Sequence, residues 1–269
     1  MQWDSRSRNE IRAASNESGV GMKPTIETDR YSLYLGDCLS ILPTLAAGSV
    51  DAVVTDPPYG IGFKYSQHDD SPEGYGAWLW NIIEMCEALC GEGSPVFVWQ
   101  AMSNCASWSR WFPRPWRIFA AAKNFVQIRP QTMQNAFDPV LVWWTNGKAY
   151  RHPGGLPTRD FHVADTASVI SDRTRIEKGH PCPRPLDQMV YIVDRFTRPT
   201  ATILDPFMGS GTTGVAGMKL GRKFIGIEID ESYFRIAAKR IAKAAEVPML
   251  FEIAEKMEQG TLGLDESSI

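Results

Sequence analysis

The chain has 269 residues, of which 43% are hydrophobic and 22% charged, and its net charge is −3. That length buries one large core, or one core with a small insertion, and the charge does not advertise nucleic-acid binding. No apolar run approaches a membrane span and no basic-then-apolar leader opens the chain, so the expectation is a cytoplasmic protein with no membrane partner.

Residues 1–28 are polar, rich in Ser, Asn and Glu and without periodicity, which predicts a disordered leader. Residues 31–35 alternate as a strand, and Leu39, Leu42 and Leu45 repeat at helical spacing despite Pro43. A β-branched run over 50–55 predicts a buried strand, which stops abruptly at Asp56-Pro57-Pro58-Tyr59. Residues 60–76 predict a loop over that turn, 77–89 a helix and 95–99 a strand. Residues 117–120 and 139–144 predict two further strands that pair antiparallel at the far edge of the sheet. From 145 to 182 glycines and prolines break all periodicity, and that length points to an insertion with a function or to disorder. A helix resumes over 186–196. Strand 201–204, a glycine-rich loop, a helix to 220, strand 223–227 and a helix over 231–245 follow, before an acidic tail over 246–269. The fold class is therefore α/β, with a mostly parallel sheet and an antiparallel edge hairpin.

Proline fixes its own φ, lacks an N–H and drives its predecessor towards extended backbone. Asp56 and Tyr59 are thus presented at a strand's carboxyl end, the edge where α/β sheets bind ligands. An amino group on a flat ring needs two acceptors and a stacking face. Asp56, the carbonyls of Pro57 and Pro58, and Tyr59 offer both. The plain alternative is a Pro-Pro turn with a satisfied aspartate.

The late loop reads Asp205-Pro206-Phe207-Met208-Gly209-Ser210-Gly211-Thr212-Thr213-Gly214, with Glu228 ending the next strand 19 residues after Gly209. Strand, G-x-G-x-x-G, helix, strand and acid form a nucleoside-binding fingerprint, in which Glu228 can accept from two ribose hydroxyls. Asp205 would sit poorly beside a pyrophosphate but suits an ammonium. This favours S-adenosyl-L-methionine over a nicotinamide dinucleotide.

Asp-Pro-Pro-Tyr early and Asp-Pro-Phe-x-Gly-x-Gly-Thr-Thr late resemble the amino-methylating DNA methyltransferases of the circularly permuted β type. The likeness extends to Tyr34–Leu39, to Val50–Tyr59, to His180-Pro-x-x-Arg-Pro185 and to Ile203–Asp230, within a catalytic domain over 29–245. It implies a Rossmann-like fold, S-adenosylmethionine as cofactor and duplex DNA as partner. Asp205, Phe207, Gly209 and Gly211 would line the cofactor's methionine and ribose side. Glu228 would hold the ribose, Asp37 would lie near the adenine, and His180 and Arg184 would border that pocket. Arg184 stands where relatives often carry lysine. Asp56 and the Pro57 carbonyl would accept the target amine, with Tyr59 stacked on the flipped base. Asp56 tilts the reading to adenine N6, with cytosine N4 as the alternative, because cytosine enzymes more often carry Ser there. A nicotinamide oxidoreductase and a silent DNA-binding module are the remoter alternatives. A homodimer and a cognate restriction endonuclease are partners that the resemblance allows.

Residues 101–180 carry 11 Lys/Arg against 5 Asp/Glu, a net of +6, with Trp108, Trp111, Trp116, Trp143 and Trp144 interleaved. Length, basicity and lost periodicity make 145–182 the expected DNA-reading segment, with Arg151, Arg159, Arg173 and Arg175, helped by Lys64. His152, His162 and His180 lack metal spacing, and so do the five cysteines, which read as reduced thiols. No metal is expected.

Overall fold

In the computed structural model the described residues are 22–62, 70–71, 73–123, 136–153, 158–165 and 184–246. Nine strands form one sheet in the order β1-β2-β9-β8-β3-β4-β6-β5-β7. They are β1 (Ile26–Glu27), β2 (Tyr31–Leu35), β3 (Ala52–Thr55), β4 (Pro95–Trp99), β5 (Arg117–Lys123), β6 (Phe137–Trp144), β7 (Phe161–Ala164), β8 (Thr202–Asp205) and β9 (Lys223–Glu228). Strands β2, β9, β8, β3 and β4 are mutually parallel, so their carboxyl ends share one edge. Strand β6 runs antiparallel to both β4 and β5.

The central strands are apolar at nearly every position because both sheet faces are covered, as parallel sheets require. Every residue of β3 and β4 is buried. Helices α1 (Cys38–Ile41), α2 (Tyr75–Leu89) and α3 (Trp108–Trp111) cover one face. Helices α4 (Leu186–Phe196), α5 (Thr212–Lys219) and α6 (Glu231–Glu246) cover the other. From β3 the chain crosses to β4 by way of α2, whereas β8 and β9 lie on the opposite side of β3 with α5 between them. The strand order thus turns at β3, the position at which open α/β sheets hold ligands.

Details of the strands and of the first helix differ from expectation. Residues 26–27, inside the expected leader, pair with Leu33 and Ser32 of β2. The helix after residue 38 tightens to 3₁₀ geometry at Leu42–Thr44, because Pro43 cannot donate to an α-helical bond. Within the supposedly structureless 145–182, β7 adds a parallel strand to β5.

Candidate active site

The carboxyl ends of β3 and β8 are neighbours, with Ala52 opposite Ile203 and Val53 opposite Leu204, which brings the two halves of the sequence signal together. Thr55 Oγ1 donates to Asp205 Oδ1 at 2.8 Å and links them directly. Phe207 N donates to the same oxygen at 3.1 Å. Asp205 is 3% exposed. Burial pushes its carboxyl up to about 7, although bonds from Thr55, Thr213 and the Phe207 amide oppose the rise.

On the next strand end, Glu228 accepts from Gly209 N at 2.7 Å and from Asp230 N at 2.8 Å. Burial raises this carboxyl as well. Gly209 and Gly211 adopt φ of 52° and 80°, left-handed backbone that lets the loop turn beneath β9. A Cβ on Gly211 would lie 2.9 Å from the Ala237 Cβ of α6. From α6, Arg240 Nη1 donates to Ser210 O at 2.5 Å and to Ser210 Oγ at 3.0 Å, and so pins the loop from behind. Asp37 caps α1 by accepting from Leu39 N at 3.0 Å, one residue after Gly36 N donates to Glu228 O. Asp37, Glu228 and Asp205 therefore follow one another along the edge of the sheet. Beside them, Pro206 is buried and Phe207 is half-buried, its ring 5.6 Å from that of Trp78.

At the end of β3, Tyr59 OH donates to Asp56 Oδ1 at 2.5 Å. Arg184 donates to Asp56 Oδ2 through Nε at 2.6 Å and to Oδ1 through Nη2 at 3.0 Å. The same guanidinium reaches Tyr59 OH and Asp138 Oδ2, and Asp138 accepts from Lys123 Nζ at 2.9 Å. Burial opposes the charge on Arg184, but the carboxylates of Asp56 and Asp138 outweigh it and raise its pKa. Burial likewise works against an ionised Asp138, yet Arg184 and Lys123 hold its carboxyl below the ordinary range. Tyr59 stays a neutral phenol, because burial drives its pKa up more than Arg184 lowers it.

Arg184, expected beside the cofactor pocket, thus stands against Asp56 and Tyr59. Pro185 follows it at the first boundary position of α4, and a fork-shaped guanidinium spans two carboxylates where a lysine would reach as a point charge. Asp138 carried no sequence signal, since it meets the turn only through the pairing of β6 with β4. His180, Arg173, Arg175 and Lys64 lie outside the described residues. Arg151 and Arg159 are exposed, with the Arg159 guanidinium 5.8 Å from the Phe161 ring centre. Some of the other basic and aromatic signals have structural roles. Arg114 pairs with Glu87 at 2.7 Å, Trp143 Nε1 donates to the same carboxylate at 2.7 Å, and Trp108 and Trp143 are core. His152 lies 3.8 Å from Asp194, and His162 stacks on Tyr191.

A family model described as DNA methylase, for enzymes acting on N6 or N4 amines, matches residues 50–239. The chain belongs to the N6/N4 DNA methylase family. A putative methylase from Escherichia coli K12, YubD, is 30% identical over 77% of this methylase and 88% of its own length. The DNA adenine methyltransferase YhdJ of the same organism is 23% identical over 84% of the chain and 88% of its own. In fold, the solved PvuII cytosine-N4-specific DNA methyltransferase superposes with a TM-score of 0.66 and 17% identity, covering 89% of this chain and 96% of that one. The methylase is thus a DNA amino-methyltransferase of α/β fold, and its family uses S-adenosylmethionine. The site suits that cofactor: the buried Asp205 and Glu228 carboxylates match an ammonium and a ribose, and would repel a phosphate.

Proposed function

We propose that the methylase acts on the N6 amine of an adenine flipped out of duplex DNA. The observation that carries this reading is a carboxylate, Asp56, in the Pro-Pro-Tyr turn, one strand from the Asp205 loop. When bound, S-adenosylmethionine supplies the sulfonium methyl group. Asp205 would hold its ammonium and Glu228 its ribose hydroxyls, with Asp37 at the adenine end.

An aromatic amine is a poor nucleophile because its lone pair is delocalised into the ring. Two acceptors that draw on its two hydrogens favour a pyramidal nitrogen with its lone pair free. Asp56 offers about four lone-pair directions, and Tyr59 and Arg184 use three of them. One direction on Oδ2 is left for the amine, and the Pro57 carbonyl takes its second hydrogen. Rate then comes from positioning and fixed dipoles, and no covalent intermediate is needed. Flipping costs a few kcal/mol of unstacking, which stacking on the Tyr59 ring partly offsets.

Cytosine N4 is the second reading, and the fold shared with the PvuII enzyme favours it. The exposed Arg151 and Arg159 are the described candidates for DNA contact. On this reading the methylase works in the cytoplasm, and a cognate restriction endonuclease and a second copy of the chain are its further partners. Nucleoside analysis of DNA from methylation-free bacteria expressing the chain tests the target base. N6-methyladenine is expected, and N4-methylcytosine as the sole product would transfer the assignment to the second reading.

A further inference from the structure

The turn is strapped from three sides by residues with no part in the chemistry above. Tyr75, the first residue of α2 and 3% exposed, donates its hydroxyl to Pro58 O at 2.7 Å. That hydroxyl accepts from Gln100 Nε2 at 3.2 Å, and Gln100 directly follows β4. Asn104 Nδ2 donates to Tyr59 O at 2.7 Å. Asp70, 2% exposed, accepts from Gly60 N at 2.5 Å and from Ile61 N at 3.1 Å.

The Tyr75 ring also sets the backbone that follows the turn. A Cβ on Gly60 would lie 2.4 Å from Tyr75 Cγ, and Gly60 has a φ of 65°. Only glycine passes so close to the ring in that conformation. The consequence is a fixed backbone: Tyr75 holds the Pro58 carbonyl and Asn104 the Tyr59 carbonyl, which sets the peptide planes after Pro57 and with them the direction of the Pro57 carbonyl assigned above to the incoming amine.

We infer that Tyr75, backed by Gln100, and Asn104 are positioning residues that aim the Pro57 carbonyl and Asp56 at the target nitrogen. The inference rests on the proposed role of the turn. Removing one strap lets the carbonyl rotate without touching the cofactor loop, so turnover suffers while cofactor binding does not.

The test is single-turnover methylation of unmethylated bacterial DNA by the purified full chain, beside calorimetric titration of S-adenosylmethionine. Tyr75→Phe keeps the ring under Gly60 and removes only the hydroxyl. The expected result is a maximal rate lowered on the order of 10- to 100-fold, the scale of a misplaced reacting group, with cofactor affinity and half-saturating DNA concentration unchanged. Asn104→Ala should give the same split and carries the test should Tyr75→Phe fail to fold. A wild-type rate in the variant tested overturns the inference, and so does a parallel loss of cofactor affinity. An Asp56→Ala arm separates the two levels. A dead Asp56→Ala beside an unaffected Tyr75→Phe sinks the positioning role alone, whereas an active Asp56→Ala sinks the reading of the turn and the positioning role with it.

Discussion

Asp205 joins the two halves of the site, and its protonation has a consequence for binding. Its folded pKa of about 7 lies above the ordinary aspartate value of 3.8. An unfolded chain ionises first, so this carboxyl withdraws stability from the fold as pH rises from about 4 towards 7. On the proposed role of Asp205, cofactor binding has the opposite sign, because the ammonium needs the ionised form. Below about pH 7 the affinity for S-adenosylmethionine should fall by up to roughly tenfold per pH unit. Titration calorimetry from pH 8 to pH 6 measures this. Asp205→Asn should bind weakly with a flat profile, and a wild-type slope in that variant would assign the titration to another group. Arg184 shows the limit of reading residues singly. Its place in the motif suggested the cofactor pocket, but its partners come from β3 and β6, and the pairing of β6 with β4 is what brings Asp138 within reach.

Among the elements, the strands that read clearly from sequence are those whose burial on both faces forces a continuous β-branched run, such as β3 and β4. Strand β7 did not read, because four residues at the sheet's edge carry no period. Its Phe161 and Val163 are strand-favouring types but face outward and are exposed, so no buried face marks the strand. The short helix α3 was missed for a related reason, since four residues hold barely one turn. The glycine-rich loop was legible as a turn between a strand and a helix. Part of its glycine content serves packing instead. A Cβ at Gly214 would meet Ile241 Cδ1 at 2.6 Å and Phe224 Cε1 at 2.8 Å, where α5 crosses α6 and β9. Gly214→Ala should therefore destabilise the fold by about 1–3 kcal/mol through overpacking. Urea unfolding reads this as a lower midpoint at unchanged slope, and an unchanged midpoint would show that α6 can shift to make room.

For the molecule as a whole, the α/β fold and the two turns that meet at the candidate site were visible in order and spacing, because each turn follows a strand with its own local signal. The surface proposed to face DNA was less legible. Net basicity over 101–180 overstates the free cations there, since Arg114 is paired with Glu87 and Lys123 with Asp138. The described cations left on the surface include Arg151 and Arg159. Replacing both with Ala should weaken DNA binding and shallow its salt dependence, by about one unit of slope for each phosphate no longer neutralised. Binding isotherms across a salt series give that slope, and an unchanged slope would move the DNA interface elsewhere.

The central claim is that the Asp56–Tyr59 turn holds the amine being methylated. Its most direct test is base-modification sequencing of DNA from methylation-free bacteria that express either the wild-type chain or Asp56→Ala. Methyl groups are expected on the exocyclic amine of adenine at one recurring sequence with the wild type, and none with Asp56→Ala despite intact folding and cofactor binding. Wild-type levels of modification by Asp56→Ala would contradict the claim.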